Sequence, residues 1–581
     1  MLGSLVRKEV LSISIDPLLS DRGQYGFLQD LVKKVAYDTM SKHERKARHL
    51  GAAAYLRSAV DEDEIVEVVA SHLLDAYRSA PDAEDAELIR VEALEMVRKA
   101  SERAASLGAS EEAQRYAERA IELTDAPLAV AELHERAGMM AWVRVDVDSA
   151  TEHFHRAIEL FESEGATHPV ARVSARLGEV VWSQGRGIDA LESMAASYRV
   201  LADEEPDADL AQLAAQLGRF TFFNGETERA MEWIERSLEI AEALNLQEIL
   251  SDALNTKALV MLTFGRASEA TGLMRHALAI ALEHDKPTAA QRAYNNLADL
   301  SDYDDRYPEA ERMVGEGLSL SRRVGNWYWE SSLLGHVYPK YALGRWDDLM
   351  ASLAEIPPDE YARSRIAFTQ GYVAFGTAVE VHRGDLEAAA SRHERFDNLQ
   401  TSADVQEVTE YACGGATLRL AQGDLKEALR LAEIALDGRE ALSLSHSCVK
   451  EGVITGLEAA LALGDQGKVE EILAMIRTDP NGRRMSFFRA HGARLEARSA
   501  DASDDGVERL YRSAIGSFRE IGFPFWLAVT LLEYGEWLEA RGRGPDVAPV
   551  VLEARSIFEG LEAKPWLERA DRITRGSPVS S

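Results

Sequence analysis

The sequence predicts an all-α protein, a superhelical α-solenoid of about twelve helix pairs, on the basis of three observations. The chain has 581 residues, which is too long for a single hydrophobic core. Its hydrophobic fraction of 46% is ordinary for a folded soluble protein, and strong helix formers such as Ala, Leu, Glu and Arg are abundant. A short motif also recurs every 37 to 41 residues along most of the chain, which is the mark of a repeat architecture.

The first sixty residues differ from the rest in charge and in pattern. They hold ten basic and six acidic side chains, a net charge of +4. The remaining residues carry a net charge of −37, so the whole chain has −33. Strand character over Leu5–Ile15 is followed by an amphipathic helix over Leu28–Met40. Ser41 and Glu44 have the spacing of a capping box for a further helix. The basic residues of that helix are Lys42, Arg45, Lys46 and Arg48. We interpret residues 1–60 as a winged-helix-like joint segment.

Residues 61–575 are predicted to form the helical repeat array, and residues 576–581 a disordered tail. Eight of the twelve copies have an alanine five residues after the turn, as at Gly225 and Ala230, and the other four have Leu349, Val469, Leu510 and Val547 there. The turns are expected at Gly108, Val145, Gly185, Gly225, Gly265, Asp305, Gly344, Gly384, Gly423, Gly464, Asp505 and Gly542. A small residue stands seven positions before the turn and a bulky one nine positions after it, as with Gly218 and Ile234. Alternating small and large positions indicate two closely packed helices, A before the turn and B after it.

These offsets resemble the tetratricopeptide repeat over roughly residues 86–575. The period is nearer 40 residues than the usual 34, so we expect longer helices or connections. Repeats of this length are similar to the sensor arrays of large bacterial regulators such as the maltose-regulon activator family. The region from Trp346 to Phe396 is the most degenerate, and Pro357-Pro358 is expected to interrupt its helix B.

The phrase FLQDLVKKVAYDTMSKHERKARHLGAAAYL resembles the segment that joins the ATPase core to the repeats in bacterial STAND-type signalling regulators. The matching residues are Phe27, Leu31, Val32, Val35, Ala36, Tyr37, Arg45 and His49. In that adenylate/guanylate cyclase–AAA ATPase–repeat family a cyclase effector and a P-loop ATPase precede the winged-helix-like segment. The resemblance implies that this chain corresponds to the C-terminal portion of such a regulator.

No catalytic, cofactor or metal site is expected from the sequence. The nearest approach to a phosphate-binding loop, Gly464–Lys468, lacks the first glycine and has Val469 in place of the hydroxyl residue. His153 and His155 are two positions apart, so they face different sides of a helix and lack a third ligand. Cys413 and Cys448 are interpreted as small core residues, with His446 giving only weak evidence for a dyad. The protein is therefore predicted not to be an enzyme.

The array offers a better functional site. Residues three before the turn are expected to line the concave groove, where they would bind a protein, a peptide or a small ligand. The candidates are Trp142, Trp182, Phe222, Leu262 and Tyr341. The alternative is that these side chains pack between repeats, as aromatic residues at helical spacing usually do.

The leading hypothesis is a non-enzymatic scaffold or sensor arm of a bacterial signalling regulator. One alternative is the C-terminal part of an ATPase or nucleotide cyclase whose catalytic domains lie outside this chain. Another is a transcriptional regulator that binds DNA through residues 1–60, although the acidity of the chain disfavours nucleic acid and anionic lipid. The absence of a signal peptide or of a long apolar run predicts a cytoplasmic location and no membrane contact.

Overall fold

The computed structural model describes residues 2–7, 10–15, 23–59, 62–144, 146–184, 186–356, 370–402, 404–477, 485–500 and 506–576. The predicted turns at Val145, Gly185 and Asp505, the Pro357-Pro358 pair and residues 577–581 of the predicted tail lie outside these ranges. Helices dominate the described residues, and they recur as A–B pairs, so the predicted all-α repeat fold is confirmed. None of the described helices combines the length and the apolarity that crossing a bilayer requires.

The chain divides into two compact units. The N-terminal unit comprises residues 1–184 and 188–204, and the C-terminal unit comprises residues 185–187 and 205–581. The helices of the N-terminal unit are α1 Leu2–Arg7, α2 Asp30–Asp38, α3 Lys42–Ala59, α4 Glu62–Ser79, α5 Ala86–Ser106, α6 Ser110–Ile121, α7 Pro127–Val143, α8 Val147–Ser163, α9 Thr167–Ser183 and α10 Gly187–Leu201.

The C-terminal unit begins with regular helix pairs and becomes less regular after residue 325. Its first helices are α11 Ala208–Phe223, α12 Thr227–Ala243, α13 Gln247–Thr263, α14 Ala267–Glu283, α15 Pro287–Tyr303 and α16 Tyr307–Val324. Shorter helices follow: α17 Trp327–Gly335, α18 Tyr338–Ala342, α19 Trp346–Ala354, a π-helical segment Gln370–Gly376, α20 Thr377–Arg383, α21 Leu386–Glu394 and a 3₁₀ turn Asp397–Thr401. The last helices are α22 Val405–Ala421, α23 Leu425–Asp437, α24 Arg439–Leu442, α25 Ser447–Leu463, α26 Gln466–Arg477, α27 Ser486–Ser499, α28 Gly506–Ile521, α29 Pro524–Ala540, α30 Gly544–Gly560 and α31 Lys564–Gly576.

The N-terminal segment before the repeats contains a two-stranded antiparallel hairpin. Strand β1, Leu11–Ile15, pairs with β2, Gly23–Phe27, so that Leu11 lies opposite Phe27. The strand predicted over Leu5–Ile15 therefore begins later than expected, because its first residues belong to α1, and β2 was not predicted. The capping box is confirmed: the Ser41 N–H donates to Glu44 Oε2 at 2.9 Å, and the Glu44 N–H donates to Ser41 Oγ at 3.2 Å. The winged-helix assignment stays a prediction.

The period of 40 residues arises from two helices of about 17 residues joined by short connections. Every described A-to-B turn has a left-handed residue: Gly108, Gly225, Gly265, Asp305, Gly344, Gly384, Gly423, Gly464 and Gly542. A second set of left-handed residues lies in the connections from helix B to the next helix A: Gly165, Asn245, Asp285, Gly325, Gly522 and Glu562. A left-handed residue ends a helix and satisfies its last carbonyls. The extra length relative to a 34-residue repeat lies in the helices, because the connections between them are short.

Helices A and B approach each other at the predicted small residue. A Cβ placed on Gly218 would lie 2.7 Å from Cγ1 of Ile234, sixteen residues further along the chain. The same relation joins Gly138 to Phe154 at 2.8 Å and Gly178 to Met194 at 2.7 Å. These three bulky side chains are fully buried. The missing side chain on helix A therefore makes the space that the large side chain of helix B fills.

The second half of the C-terminal unit packs segments that are far apart in sequence. Lys450, with no exposed surface, donates from Nζ to Asp305 Oδ1 at 2.7 Å and to the carbonyl oxygen of Asp302 at 2.7 Å. The other oxygen of Asp305 accepts the backbone N–H of Phe487 at 2.9 Å. The turn at Asp305 is thereby tied to α25 and α27. This part of the unit departs from an open solenoid, in which each repeat contacts only its neighbours.

We expect Gly218→Ala to destabilise the C-terminal unit by about 1–3 kcal/mol, because the added methyl group overpacks the contact with Ile234. The matched control is Gly272→Ala in α14, where a Cβ would meet nothing within 4 Å. It should be neutral or stabilise by about 0.5–1 kcal/mol through helix propensity. Urea unfolding followed by circular dichroism measures both, and equal effects of the two substitutions would contradict this account of the packing.

We expect Asp305→Asn to lower the free energy of unfolding by about 3–5 kcal/mol, because it removes the carboxylate that pairs directly with the buried Lys450 ammonium. Asparagine tolerates the left-handed backbone, so the turn itself is preserved. Asp285→Asn is the control, since Asp285 is also left-handed but exposed, and it should change stability by less than about 0.5 kcal/mol. The double variant Asp305→Asn/Lys450→Met should recover part of the loss in thermal unfolding; a fully additive loss would show that the pair is not coupled.

Candidate functional site

One face of each helix A points away from its helix B. Helical geometry advances 100° per residue, so positions 2, 6, 9 and 13 before the turn lie about 100–160° around the helix from the small residue at position 7. We call this surface on α11, α13 and α15 the A face. Its residues are Gln212, Gln216, Arg219 and Phe223; Asp252, Thr256, Leu259 and Thr263; and Arg292, Asn296, Asp299 and Tyr303.

The five predicted groove residues lie nearer the core than expected. Position 3 before the turn is four residues from the small position, only about 40° away on the helix. Trp142 and Trp182 are accordingly half-buried in the N-terminal unit, and Phe222 and Leu262 are half-buried against the core of the C-terminal unit. The exposed aromatic residue of α11 is its neighbour Phe223, which is 53% exposed.

Tyr341 corrects the prediction more strongly. Its side chain is 2% exposed and stacks on Trp346, with ring centroids 6.1 Å apart and an interplanar angle of 10°. The ring of Phe523 meets it edge-on at 5.9 Å. The long-range packing of this half of the unit covers the position that an open array would leave in the groove. In this structure Tyr341 is a core residue.

The predicted basic helix α3 uses two of its four basic residues inside the N-terminal unit. Lys46 is buried and paired with Asp85. Arg45 donates to the carbonyl oxygen of Asp38 at 3.0 Å and lies over the ring of Tyr37 at 4.7 Å. Lys42 and Arg48 are exposed. These contacts agree with a joint between elements of the unit, and they leave two cations of the four on the surface.

The two histidines of the HxH motif lie apart from each other, as their spacing predicts. His153 Nδ1 lies 2.9 Å from His134 Nδ1, whereas the His155 side chain is exposed. Burial, together with the neighbouring His153, lowers the pKa of His134 to about 4. Cys413 and Cys448 are both free and buried, as expected for core residues.

Polar side chains connect adjacent A helices of the C-terminal unit. Arg292 on α15 lies 3.0 Å from the carboxylate of Asp252 on α13. Asn296 Nδ2 donates to Asn255 Oδ1 at 2.6 Å across the same pair of helices. Further along, Ser332 on α17 donates to Asn295 Oδ1 at 3.4 Å. A continuous line of amide, carboxylate and guanidinium groups therefore crosses three A helices.

This line ends in an acidic recess formed by Asp299, Asp302 and His336. His336 Nε2 lies 2.8 Å from Asp302 Oδ2 and 3.8 Å from Asp299 Oδ1. Burial lowers the pKa of His336, but the two carboxylates outweigh it and leave the pKa above its ordinary value. Burial raises the pKa of Asp302, with His336 and Lys450 opposing. Burial also raises the pKa of Asp299 to about 6, against the opposing charge of His336.

Asp299 lies at the opening of the recess. Its side chain keeps 42% of its surface accessible to water, although the surrounding protein desolvates the carboxylate strongly enough to raise the pKa. Such a combination is expected of a group that is surrounded by protein on most sides and open on one. Asp302, deeper in, is 4% exposed.

Four side chains along the A helices leave a buried polar atom without a hydrogen-bond partner among the described residues. These atoms are Gln216 Oε1, Asn255 Nδ2, Arg292 Nε and Asp302 Oδ1. An unpaired buried polar group costs about 1–3 kcal/mol, and ordered water is the usual partner of such groups. The sequence analysis passed over Asp302 because the groove stripe was sought as aromatic and apolar. The signal was an aspartate in the position that Phe222 and Leu262 hold in the preceding repeats.

Comparison with protein-family models finds no match, and comparison with curated proteins finds none. Among solved structures, the chain is similar to a Rap protein complexed with competence and sporulation factor, with 14% identity, a TM-score of 0.41, and coverage of 66% of this chain and all of the other. It is also similar to the Rap conjugation gene regulator of plasmid pLS20 in complex with the Phr* peptide (14% identity, TM-score 0.39, coverage 65% and 98%). A third is aspartyl phosphate phosphatase F from Bacillus subtilis (14% identity, TM-score 0.37, coverage 50% and 75%). At these values the likenesses assign neither a family nor a ligand to the chain.

We expect stability to fall as pH rises through the range in which Asp299 ionises. The folded-state pKa of about 6 lies above the usual value for aspartate, so the folded state favours the neutral acid. The raised pKa of His336 acts in the same direction, because its stabilisation is lost as pH rises through the folded-state pKa.

Asp299→Asn should flatten this decline and gain about 1 kcal/mol at pH 7.5, a value reduced for the partial exposure of the side chain. Glu283→Gln, on the exposed side of α14, is the control and should follow the wild type. Thermal unfolding measured between pH 4.5 and 8 checks the expectation, and a parallel decline in all three proteins would rule out Asp299 as the titrating group.

Proposed function

We propose that this protein is a non-enzymatic scaffold that binds a protein or peptide partner on the A face of its C-terminal unit. The observation that carries the proposal is the line of polar contacts between α13 and α15, Arg292 with Asp252 and Asn296 with Asn255, which lies beside the exposed Phe223 of α11. Side-chain amides donate and accept hydrogen bonds. Gln212 and Asn296, both half-buried on the A face, therefore offer what the N–H and C=O groups of a peptide backbone require.

The dimensions of the surface suit a short extended segment. Neighbouring packed helices lie about 8–10 Å apart, and an extended chain rises about 3.3 Å per residue. A peptide of about six residues would therefore cross three A helices. Phe223, exposed beside this line, and the half-buried Phe222 and Leu262 supply apolar surface for its side chains.

The resemblance of residues 27–56 to the joint of STAND-type regulators supports a more specific role. In that role the protein is the sensor or interaction arm of a bacterial signalling regulator, and residues 1–60 transmit the bound state. The contacts of Arg45 and Lys46 within the N-terminal unit support the use of α3 as a joint. A ligand shifts such a balance only by its differential affinity for two states.

The proposal is tested by site-specific photocrosslinking in the full-length chain. A photoreactive amino acid replaces Phe223 on the A face or, as the control, Leu282, which is 46% exposed on helix B α14. We expect one peptide or protein to be crosslinked from position 223 and not from position 282. Gln212→Ala/Asn296→Ala should lower the yield at least fivefold, because two amides of the A face are lost.

The predicted groove residues of the two units are tested in separate double variants. Phe222→Ala/Leu262→Ala addresses the C-terminal unit and Trp142→Ala/Trp182→Ala the N-terminal unit. Retention of the crosslinked partner by the first double variant, with wild-type affinity, would remove these two residues from the binding surface. Equal crosslinking from positions 223 and 282 would contradict the proposed function itself.

A further inference from the structure

We propose that the recess of Asp299, Asp302 and His336 binds a cationic nitrogen group, an ammonium or a guanidinium, of the ligand that occupies the A face. The inference rests on the proposed function for the location of the ligand, and it adds the charge and chemical class of the anchoring group. Neither the repeat pattern nor the predicted aromatic stripe indicated this recess.

Two carboxylates converge there, and only one of their four oxygens has a short contact with a cation-forming group. Asp302 Oδ2 is held by His336 Nε2 at 2.8 Å. Asp302 Oδ1 is buried in a side chain that is 4% exposed and has no hydrogen-bond partner among the described residues. Asp299 Oδ1 lies 3.8 Å from the same imidazole nitrogen, beyond hydrogen-bond distance, and its side chain opens to water. A buried acceptor thus lies behind an accessible one.

The cations nearest to the recess are already engaged or uncharged. From α25, Lys450 directs its ammonium to Asp305 Oδ1 and to the carbonyl oxygen of Asp302, so that group is shared with a third carboxylate. His446, just before α25, has its pKa lowered to about 4, chiefly by burial, and is neutral near pH 7. Ser332 on α17 donates to Asn295, and the imidazole of His336, directly after α17, lies beside both carboxylates. Two carboxylates against one imidazole leave a net negative charge.

An aromatic ring lies near the recess. Tyr303 follows Asp299 by four residues on the same face of α15, and the charges of Asp299 and Asp302 both act on it. A cation beside an aromatic ring gains about 0.5–2 kcal/mol from the ring quadrupole. The net charge of −33 also raises the local concentration of cations around the protein. An anionic ligand would be repelled by the carboxylates, by the face of the aromatic ring and by the net negative charge of the protein.

The state of Asp299 adds a pH dependence that supports the assignment. Because its pKa lies near 6, the carboxylate is mostly ionised at pH 7.5 and mostly neutral at pH 5. The groups around it are Asn295, Asp302 and Tyr303 on its own helix, Ser332 on α17 and His336 directly after α17. Lys340 on α18, His446 directly before α25 and Lys450 on α25 act on its neighbours His336 and Asp302. Protonation of His336 at low pH adds positive charge, so both groups weaken cation binding as pH falls.

The test is isothermal titration calorimetry on the full-length chain with three probes. The first is an acetylated, amidated hexapeptide with one central arginine, and the second is the same peptide with uncharged citrulline in its place. The third is spermidine, which supplies ammonium groups without a peptide backbone. We expect the arginine peptide to bind at pH 7.5 at least tenfold more tightly than the citrulline peptide, and about tenfold more weakly at pH 5. Tighter binding of spermidine than of the arginine peptide would identify a free polyamine as the source of the cation.

Asp299→Asn is the decisive variant, since it keeps the shape of the side chain and removes its charge. It should lower the affinity for the cationic probe at least tenfold and abolish the pH dependence, whereas Asp285→Asn, an exposed control with the same change of charge, should do neither. Equal affinities for arginine and citrulline peptides, wild-type binding by Asp299→Asn, or binding of no probe at millimolar concentration would each overturn the inference. Persistence of the position-223 crosslink in Asp299→Asn would then leave the proposed function standing without its cationic anchor.

Discussion

The close contact between helix A and helix B, where a small residue meets a bulky one, is the constraint on which the rest of the structure depends. Gly218 and Ile234 illustrate it: with no side chain on one helix, the other can approach to van der Waals distance of the backbone. Because the contact recurs at the same offset, every helix A has the same rotation about its axis. Side chains from successive repeats consequently arrive on one face at matching heights, and a binding surface can be built from residues 40 positions apart.

The sequence allows the local features of this architecture to be predicted. The turns, the capping box at Ser41 and Glu44 and the small-to-bulky pairing follow from interactions between residues fewer than twenty positions apart. The pairing of Lys450 with Asp305 could not be predicted in this way, because 145 residues separate them and no periodic pattern connects them. The burial of Tyr341 follows from the same long-range packing.

The location of the binding site stays a prediction, and the polar chemistry of the A face was not predicted. Choosing position 3 before the turn selected side chains such as Phe222, which divide their surface between the core and the A face. A rotation of 100° separates this position from its exposed neighbour Phe223, and no composition rule reveals that difference. The acidic recess was not predicted, because Asp302 stands at a position that is apolar in the preceding repeats and the rest of its repeat is regular. Its partner His336 directly follows α17, a helix that ends early and departs from the repeat length.

The long separation between Asp305 and Lys450 bears on how the chain folds during its synthesis. Repeats before this turn use contacts that are complete once the next forty residues have been made, so they can fold as they leave the ribosome. The partner of Asp305 is Lys450, which lies 145 residues further along the chain. Translation of that stretch takes roughly 7 to 30 s at bacterial or eukaryotic rates. Throughout that interval the carboxylate of Asp305 is hydrated and the apolar surfaces that flank the turn are uncovered. The C-terminal half is therefore the part of the nascent chain with the greatest need of protection by chaperones.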